Sequence, residues 1–518
     1  MSCGIGAPGP DQHRASSCEQ FERLVARIPC AMSRSMRLAV GDVPLAQPRV
    51  EPTPDPIHLD RRLGPLDAAA IIVSNVIGGG ILFTPPQIAA SVPHAGLFLS
   101  TWVAGGLLAF AGAMAYAELA ALRPRAGGEY VYLREAYGPF AAFLTGWTSF
   151  VAGFSGAIAT SAMVLAFYLG RFVPAAANTT PFFTIVIVPG TFALSFSPQA
   201  IVAVAAIFAM AWIHRRGVRP GRIVGNSLAA LKVLALVVFV ALGFSLGDGT
   251  MRHLAESVPV APAGWLLALI PVMFTYSGWN AASYVAEEIR DPDRNVPRAL
   301  AIGTAAVIAI YLTLNTLYLY VIPVGELAHV KASVLDVVAD RLLGASAGNM
   351  MTIVALISLS ASISAMTFAG PRVYFAMSRD RLFFGGAARV HPRYRTPAVA
   401  IVAQAAWSSF LVLSAKADAL VDYTGFAIVL FSGVAVVALF VLRGREPQAT
   451  RPFRTWGYPV TPALYVLVSV LILINGLVSK PLPTGAGLLV IGAGIPIYGW
   501  FSRRKQESCI KTSARRAR

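Results

Sequence analysis

A train of apolar stretches, each long enough to cross a lipid bilayer, recurs from residue 65 to residue 502 and constrains this chain more than anything else in it. A bilayer has no water to bond exposed backbone groups, so only helices and closed barrels cross it. Runs of about 20 apolar residues select the helix, because a crossing strand needs only about 10. Twelve spans are expected, at 65–91, 95–122, 139–170, 197–214, 222–246, 263–287, 297–322, 346–376, 396–415, 420–442, 457–478 and 484–502. Hydrophobic residues make up 56% of the 518 and charged residues 13%, about half the charged share of a soluble chain. The expected fold is an all-α polytopic membrane protein.

Charge sets the expected orientation. The net charge of +17 would suggest a nucleic-acid partner in a soluble protein, but here the positive residues gather in short loops and tails. Loops 123–138, 214–222, 287–298, 371–395 and 443–454 hold about 20 Lys and Arg, against about 6 in the alternating loops. That imbalance puts both termini in the cytoplasm, supports an even number of spans, and leaves no role for nucleic acid. Residues 1–60 read as a disordered cytoplasmic tail, 61–502 as the membrane domain, and 503–518 as a basic cytoplasmic tail suited to anionic lipid. The apolar stretch 182–196 is too short to cross and is expected as a re-entrant or surface element on the outside. All four cysteines (Cys3, Cys18, Cys30, Cys509) lie in the tails, so neither a disulfide frame nor a zinc site is expected.

Two of the spans are interrupted. Ile71 to Ala90 carries Gly78-Gly79-Gly80 at its middle, and Trp265 to Glu288 breaks at Ser277-Gly278. Glycine is a poor helix former, and irregular backbone at membrane depth survives only where it is covered or lines a cavity. Two such breaks, roughly 200 residues apart, fit a carrier built as a 5+5 inverted repeat, with broken first and sixth helices and a mid-membrane site. The last two spans lie outside the repeat. A half-helix starting near Gly79 and Gly80 offers unpaired N–H groups and a positive dipole end, which suit an anion. A half-helix ending near Val76 and Ile77 offers free carbonyls, which suit an ammonium. Together they describe an α-amino acid. The plainer alternative is that the glycines merely allow close helix packing.

Five stretches resemble the amino acid–polyamine–organocation (APC) superfamily of transporters, nearest to the L-type and cationic amino acid branches and bacterial permeases. They are Ile77-Gly78-Gly79-Gly80-Ile81; Tyr116-Ala117-Glu118-Leu119 with Arg125-Ala126-Gly127-Gly128-Glu129-Tyr130; and Ala230-Leu231-Lys232-Val233-Leu234. The fourth runs Phe274-Thr275-Tyr276-Ser277-Gly278-Trp279-Asn280, then Glu287-Glu288, Pro292 and Asn295-Val296-Pro297-Arg298. The fifth is Arg372-Val373-Tyr374 through Ser378-Arg379-Asp380 to Thr396-Pro397. The resemblance implies that amides of Gly78, Gly79 and Gly80 hold a substrate carboxylate and that carbonyls near Val76, Phe274 and Ser277, beside Gly278, hold its ammonium. It also implies that the Phe274 ring closes the site from outside. Gly79 stands where the family often has Ser, which removes one hydroxyl donor.

Lys232 lies inside an apolar span, where a charge is costly and points to function. By resemblance it replaces a bound sodium beside the first and eighth spans, near carbonyls around Asn75 and hydroxyls among Ser360, Ser362 and Ser364. It reads equally as a proton-exchanging group or a fixed structural cation. Glu118 is a candidate inner gate, though a helix-end acid paired with a loop arginine is the plainer reading; Trp279 is a second candidate gate. The run Glu287 to Arg294 reads as a mostly solvated charge cluster.

The expected function is secondary transport of amino acids, by proton symport or exchange, in the cell membrane. Partners are the amino acid, protons as a candidate coupling ion, and lipid. No cofactor or metal is expected, nor any enzyme activity, since no nucleotide loop or catalytic cluster lies in the spans. The outer loop 171–196 lacks a cysteine, so no covalent glycoprotein partner is expected, and the carrier works as a monomer or homo-oligomer. No acidic residue falls plainly in mid-span, which favours neutral L-amino acids over a cationic amino acid or polyamine. A non-transporting sensor with the same fold is the alternative.

Overall fold

A computed structural model describes residues 59–516, apart from 189–191, 248, 256–258, 332, 345–346, 415–416 and 480. The expected disordered tail lies outside the described residues except for Leu59 and Asp60.

The chain is a helical bundle. The first span is divided into α1 (Pro65–Val76), α2 (Gly80–Phe83) and α3 (Pro85–Ser91), with Ile77 to Gly79 outside any helix. Proline at its first position starts α1, and the Asp67 carboxylate accepts the Gly64 N–H at 2.8 Å, a start signal legible in the sequence. Next come α4 (Ala95–Leu122), α5 (Glu129–Tyr137) and α6 (Pro139–Thr148), then a π-helical turn (Ser149–Gly153) that runs into α7 (Phe154–Leu169). Two strands follow, β1 (Phe183–Val188) and β2 (Phe192–Phe196), paired antiparallel with Phe183 opposite Phe196. The apolar stretch expected as a re-entrant or surface element is thus an exposed hairpin.

Beyond it lie α8 (Pro198–Arg215), α9 (Val218–Leu246), α10 (Pro262–Thr275), α11 (Ala281–Tyr284) and α12 (Pro292–Val321). The short α13 (Val324–Leu327) and α14 (Val334–Leu343) lead to α15 (Ala347–Arg379). The chain ends with α16 (Ala398–Ser414), α17 (Ala417–Arg445), α18 (Val460–Ser479) and α19 (Pro481–Arg516), which carries the helix well past the apolar stretch. Among the described residues ten helices are long and apolar enough to cross a membrane, and α10 and α16 are shorter apolar helices.

Packing brings the two interrupted segments together. α12 lies along both α4 and α1, while α10 packs on α4 and α15 on α7. Small residues on α4 permit the approach: a Cβ on Gly112 would fall 2.7 Å from the Trp279 ring. Trp279 is buried edge-on between Tyr116 and Tyr465.

Candidate substrate site

The first interruption ends in carbonyls that are already held. Lys232 Nζ of α9 donates to the Ser74 oxygen at 3.2 Å and also to the Ile77 oxygen. The Ser362 hydroxyl of α15 reaches the same two oxygens at 2.9 and 3.2 Å, and Ser358 reaches Ile77 at 3.2 Å. Lys232 is fully buried. Its charge therefore rests on backbone carbonyl dipoles, with no carboxylate paired to it among the described residues. Of the hydroxyls expected around it, Ser362 is present, Ser364 instead bonds His214 Nε2 at 2.9 Å, and Ser358 was not expected. On the other side of the gap, the N–H groups of Gly78 and Gly79 have no backbone acceptor among the described residues.

The second interruption runs from Tyr276 to Asn280. Gly278 sits at φ +101°, a conformation that strains any side chain. Its carbonyl accepts from Asn75 Nδ2 at 3.1 Å, so the two gaps are bonded directly. Tyr311 of α12 adds a second tie, its hydroxyl lying 2.9 Å from the Val76 oxygen and 3.1 Å from the Thr275 oxygen. One hydroxyl thus bridges the ends of both half-helices, a role the sequence reading missed. It also engages the Val76 carbonyl, which had been expected to face an ammonium. The Phe274 carbonyl accepts the Ser277 N–H at 3.0 Å, and the Phe274 ring lies against Gly425 of α17.

A cavity with about 670 Å³ of empty space, counting its open mouth, begins at these gaps. Its lining includes Asn75, Ser277, Gly278 and Asn280 beside or within the gaps, the apolar Phe154, Ala157, Met366 and Phe431, and Glu129, Thr145, Thr148 and Tyr284. Val76, Gly78, Gly79, Gly80 and Phe274 border the gaps without lining this cavity. Glu129, which lies in the inner-loop stretch rather than in mid-span, adds an acidic residue to this lining that the sequence reading did not single out. Its helix begins in a loop by sequence, but Gly127 (φ +115°) and Gly128 (φ +50°) fold that loop inward, and Glu129 is 7% exposed. Glu129 Oε1 accepts from Tyr116 at 2.6 Å and Asn280 at 2.7 Å.

The remaining charged candidates lie at the end of the bundle that holds the basic loops. Glu118 is buried and pairs with Arg443 at 2.6 Å and Arg451 at 3.2 Å, while the Thr455 N–H donates to it at 2.7 Å. The run Glu287 to Arg294 divides. Arg290, Asp291 and Arg294 are exposed, but Glu288 and Arg372 form a fully buried pair at 2.7 Å, and Glu287 pairs with Arg379 at 2.9 Å. The expectation of a mostly solvated cluster fails for both glutamates, because α15 brings in arginines more than 80 residues away in sequence. The segment 59–63 crosses this cluster. Arg62 and Leu63 N–H groups donate to the Glu288 oxygen at 2.8 and 2.9 Å, and Arg290 N–H returns to Leu63 at 2.9 Å.

A bundle of apolar helices, ten of them membrane-length among the described residues, with a cavity beside two helix interruptions defines an integral membrane carrier. The amino acid permease family model matches residues 63–500, and the chain belongs to that family, within the APC superfamily. It is similar to Asc-type amino acid transporter 1 of Mus musculus, 29% identical over 461 residues, which cover 87% of this chain and 83% of that protein. The serine/threonine exchanger SteT of Bacillus subtilis is 26% identical, covering 86% of this chain and 98% of its own length. Large neutral amino acids transporter small subunit 2 of Homo sapiens is 28% identical, covering 85% and 80%. The work of the chain is amino acid transport across a membrane.

Proposed function

We propose that the protein exchanges neutral L-amino acids across the cell membrane, both termini facing the cytoplasm, through a twelve-span bundle with a 5+5 inverted repeat. The two interrupted segments open the two halves, and α10 and α16 supply the spans that fall short of membrane length. The substrate carboxylate rests on the free amides of Gly78, Gly79 and Gly80, and its ammonium on carbonyls of the second gap near Phe274 and Ser277. Phe274 covers the site. One observation carries this reading: two helix gaps are tied by Asn75 and Tyr311, and one cavity is lined by Asn75 beside the first gap and by Ser277, Gly278 and Asn280 of the second. The Gly78 and Gly79 amides have no backbone acceptor among the described residues. Oriented donors and acceptors at half-helix ends are what a zwitterion requires.

Exchange is favoured over symport because Lys232 already serves as a cation on the Ser74 and Ile77 carbonyls, which Ser358 and Ser362 also engage, and because one relative is named an exchanger. Glu118 and Trp279 close the inner side.

The test is counterflow and net uptake of a radiolabelled amino-acid panel in proteoliposomes, with and without an inward proton gradient. Counterflow that ignores the gradient is expected. Gradient-driven accumulation would replace exchange with symport, and binding without flux would return the sensor reading. A panel in which only basic amino acids or polyamines move would overturn the neutral assignment.

A further inference from the structure

The cavity also carries polar groups that the proposed binding of a backbone zwitterion does not use. Thr145 and Thr148 line it and are 3% and 2% exposed, and neither hydroxyl has a partner among the described residues. Threonines in apolar helices ordinarily bond back to the carbonyl four residues earlier. Thr313, Thr316 and Thr352 do so here at 2.7, 2.8 and 2.9 Å. Thr145 and Thr148 depart from that habit, although the same kind of carbonyl lies within their own helix, and a buried hydroxyl left unpaired costs folding free energy. Thr160 and Thr304 are also unpaired but do not line this cavity, so it is the position of Thr145 and Thr148 in its wall that makes their hydroxyls available to something that enters it.

Two further observations point the same way. The wall changes register directly after Thr148, at the π turn Ser149–Gly153, and such turns gather at functional sites. The turn is anchored from outside: Tyr374 donates to the Ser149 oxygen at 3.1 Å and Trp407 to the Val151 oxygen at 2.9 Å. The same cavity is lined by Glu129, which accepts from Asn280 of the second gap and which no Lys, Arg or His pairs with among the described residues. An acceptor-rich pocket of this kind complements a ligand group that donates hydrogen bonds.

We infer that Thr145, Thr148 and Glu129 form a side-chain subsite that selects amino acids whose side chain ends in a hydrogen-bond donor, a hydroxyl or an amine, over aliphatic isosteres. The inference rests on the transport reading above and concerns only the side chain. A hydrophobic pocket discriminates weakly between such isosteres, whereas a pocket that hydrogen-bonds the donor rejects the analogue that leaves its own groups unpaired.

The experiment is competitive counterflow in proteoliposomes with two chain-matched pairs, threonine against valine and lysine against norleucine. The expected result is a preference on the order of tenfold for the donor-bearing member of at least one pair. It should fall towards one in the Thr145→Val, Thr148→Val double variant and return when both positions are serine. A preference in the lysine pair that Glu129→Gln abolishes assigns the donor to an amine; a preference in the threonine pair assigns it to a hydroxyl. A ratio near one for both pairs in the unaltered protein, or a ratio that the valine substitutions leave unmoved, overturns the subsite. The first of these does not require any variant to fold. Counterflow of no amino acid at all would instead sink the transport reading, a different failure from exchange without selectivity.

Discussion

The two helix interruptions are made of the same material and held in opposite ways. The gap after Val76 is fixed by a buried cation: Lys232 and two serines, Ser358 and Ser362, grip the Ser74 and Ile77 carbonyls from α9 and α15. The gap at Tyr276 to Asn280 has neutral ties, an amide from Asn75 on Gly278 and the shared Tyr311 hydroxyl, and its far end leans on Glu129 through Asn280. Bonds to charged donors contribute about twice what neutral ones do. The first gap therefore has the cationic tie, while the second is held by neutral donors and by the bond from Asn280 to Glu129.

Four substitutions break or sharpen that contrast. Lys232→Met should have the largest effect. It keeps an apolar stem but removes the cation, and we expect exchange to drop by about tenfold or more, given the usual functional weight of an intramembrane charge. Counterflow in proteoliposomes measures it, and unchanged exchange would mean that the serines alone hold the gap.

Gly278→Ala comes next. A Cβ there would lie 2.6 Å from Asn75 Nδ2 at φ +101°, costing about 1–3 kcal/mol in strain. Gly79→Ala is its counterpart, since nothing lies within 4 Å of that Cβ, and its stability should stay within about 0.5 kcal/mol. Thermal melts of the two purified variants should separate by several degrees, and equal melts would remove the asymmetry in backbone strain.

Asn75→Ala removes one neutral hydrogen bond between the gaps, worth about 1 kcal/mol. Its signature should be an altered exchange rate with a modest change in Tm, because Tyr311 still bridges the half-helices.

The smallest effect lies remote from both gaps and serves as the control. Asp336 of α14 has its pKa raised to about 6 by burial, with Arg171 opposing and Asp340 adding to the rise. A carboxyl raised in the folded state is penalised once ionised, so this penalty is absent near pH 4 and complete above about pH 6. The Tm of the unaltered protein should fall over that window relative to Asp336→Asn, while exchange selectivity stays the same. A pH profile identical in both proteins would dismiss the Asp336 assignment.

Much of this was legible in the sequence, for reasons that differ from residue to residue. The helices followed from apolar length, and the gaps from glycine clusters in runs otherwise too apolar to tolerate them. Lys232 stood out as a lone charge, and its company on α15 was foreseen in part. Ser358 and Ser362 are four residues apart on one helix face, a spacing that could have added the missed serine. Glu129 was hidden because it follows two glycines in what reads as an inner loop, and only their positive φ angles turn it inward. Thr145 and Thr148 look like any threonines in an apolar helix, since an absent hydrogen bond leaves no mark on a sequence. The Glu288–Arg372 pair joins segments that local charge pattern cannot relate, and Tyr311 was one tyrosine among 16.

The segment ahead of the first helix is attached to the loop after the second gap by main-chain bonds, Arg62 and Leu63 donating to Glu288 and Arg290 returning to Leu63, with the Leu59 N–H added on the Glu287 carboxylate. Such a seam does not depend on which side chain occupies position 62, which points outward and is exposed. Mutation can therefore rewrite that surface freely, while the clasp beneath it yields only to a residue that lacks an N–H.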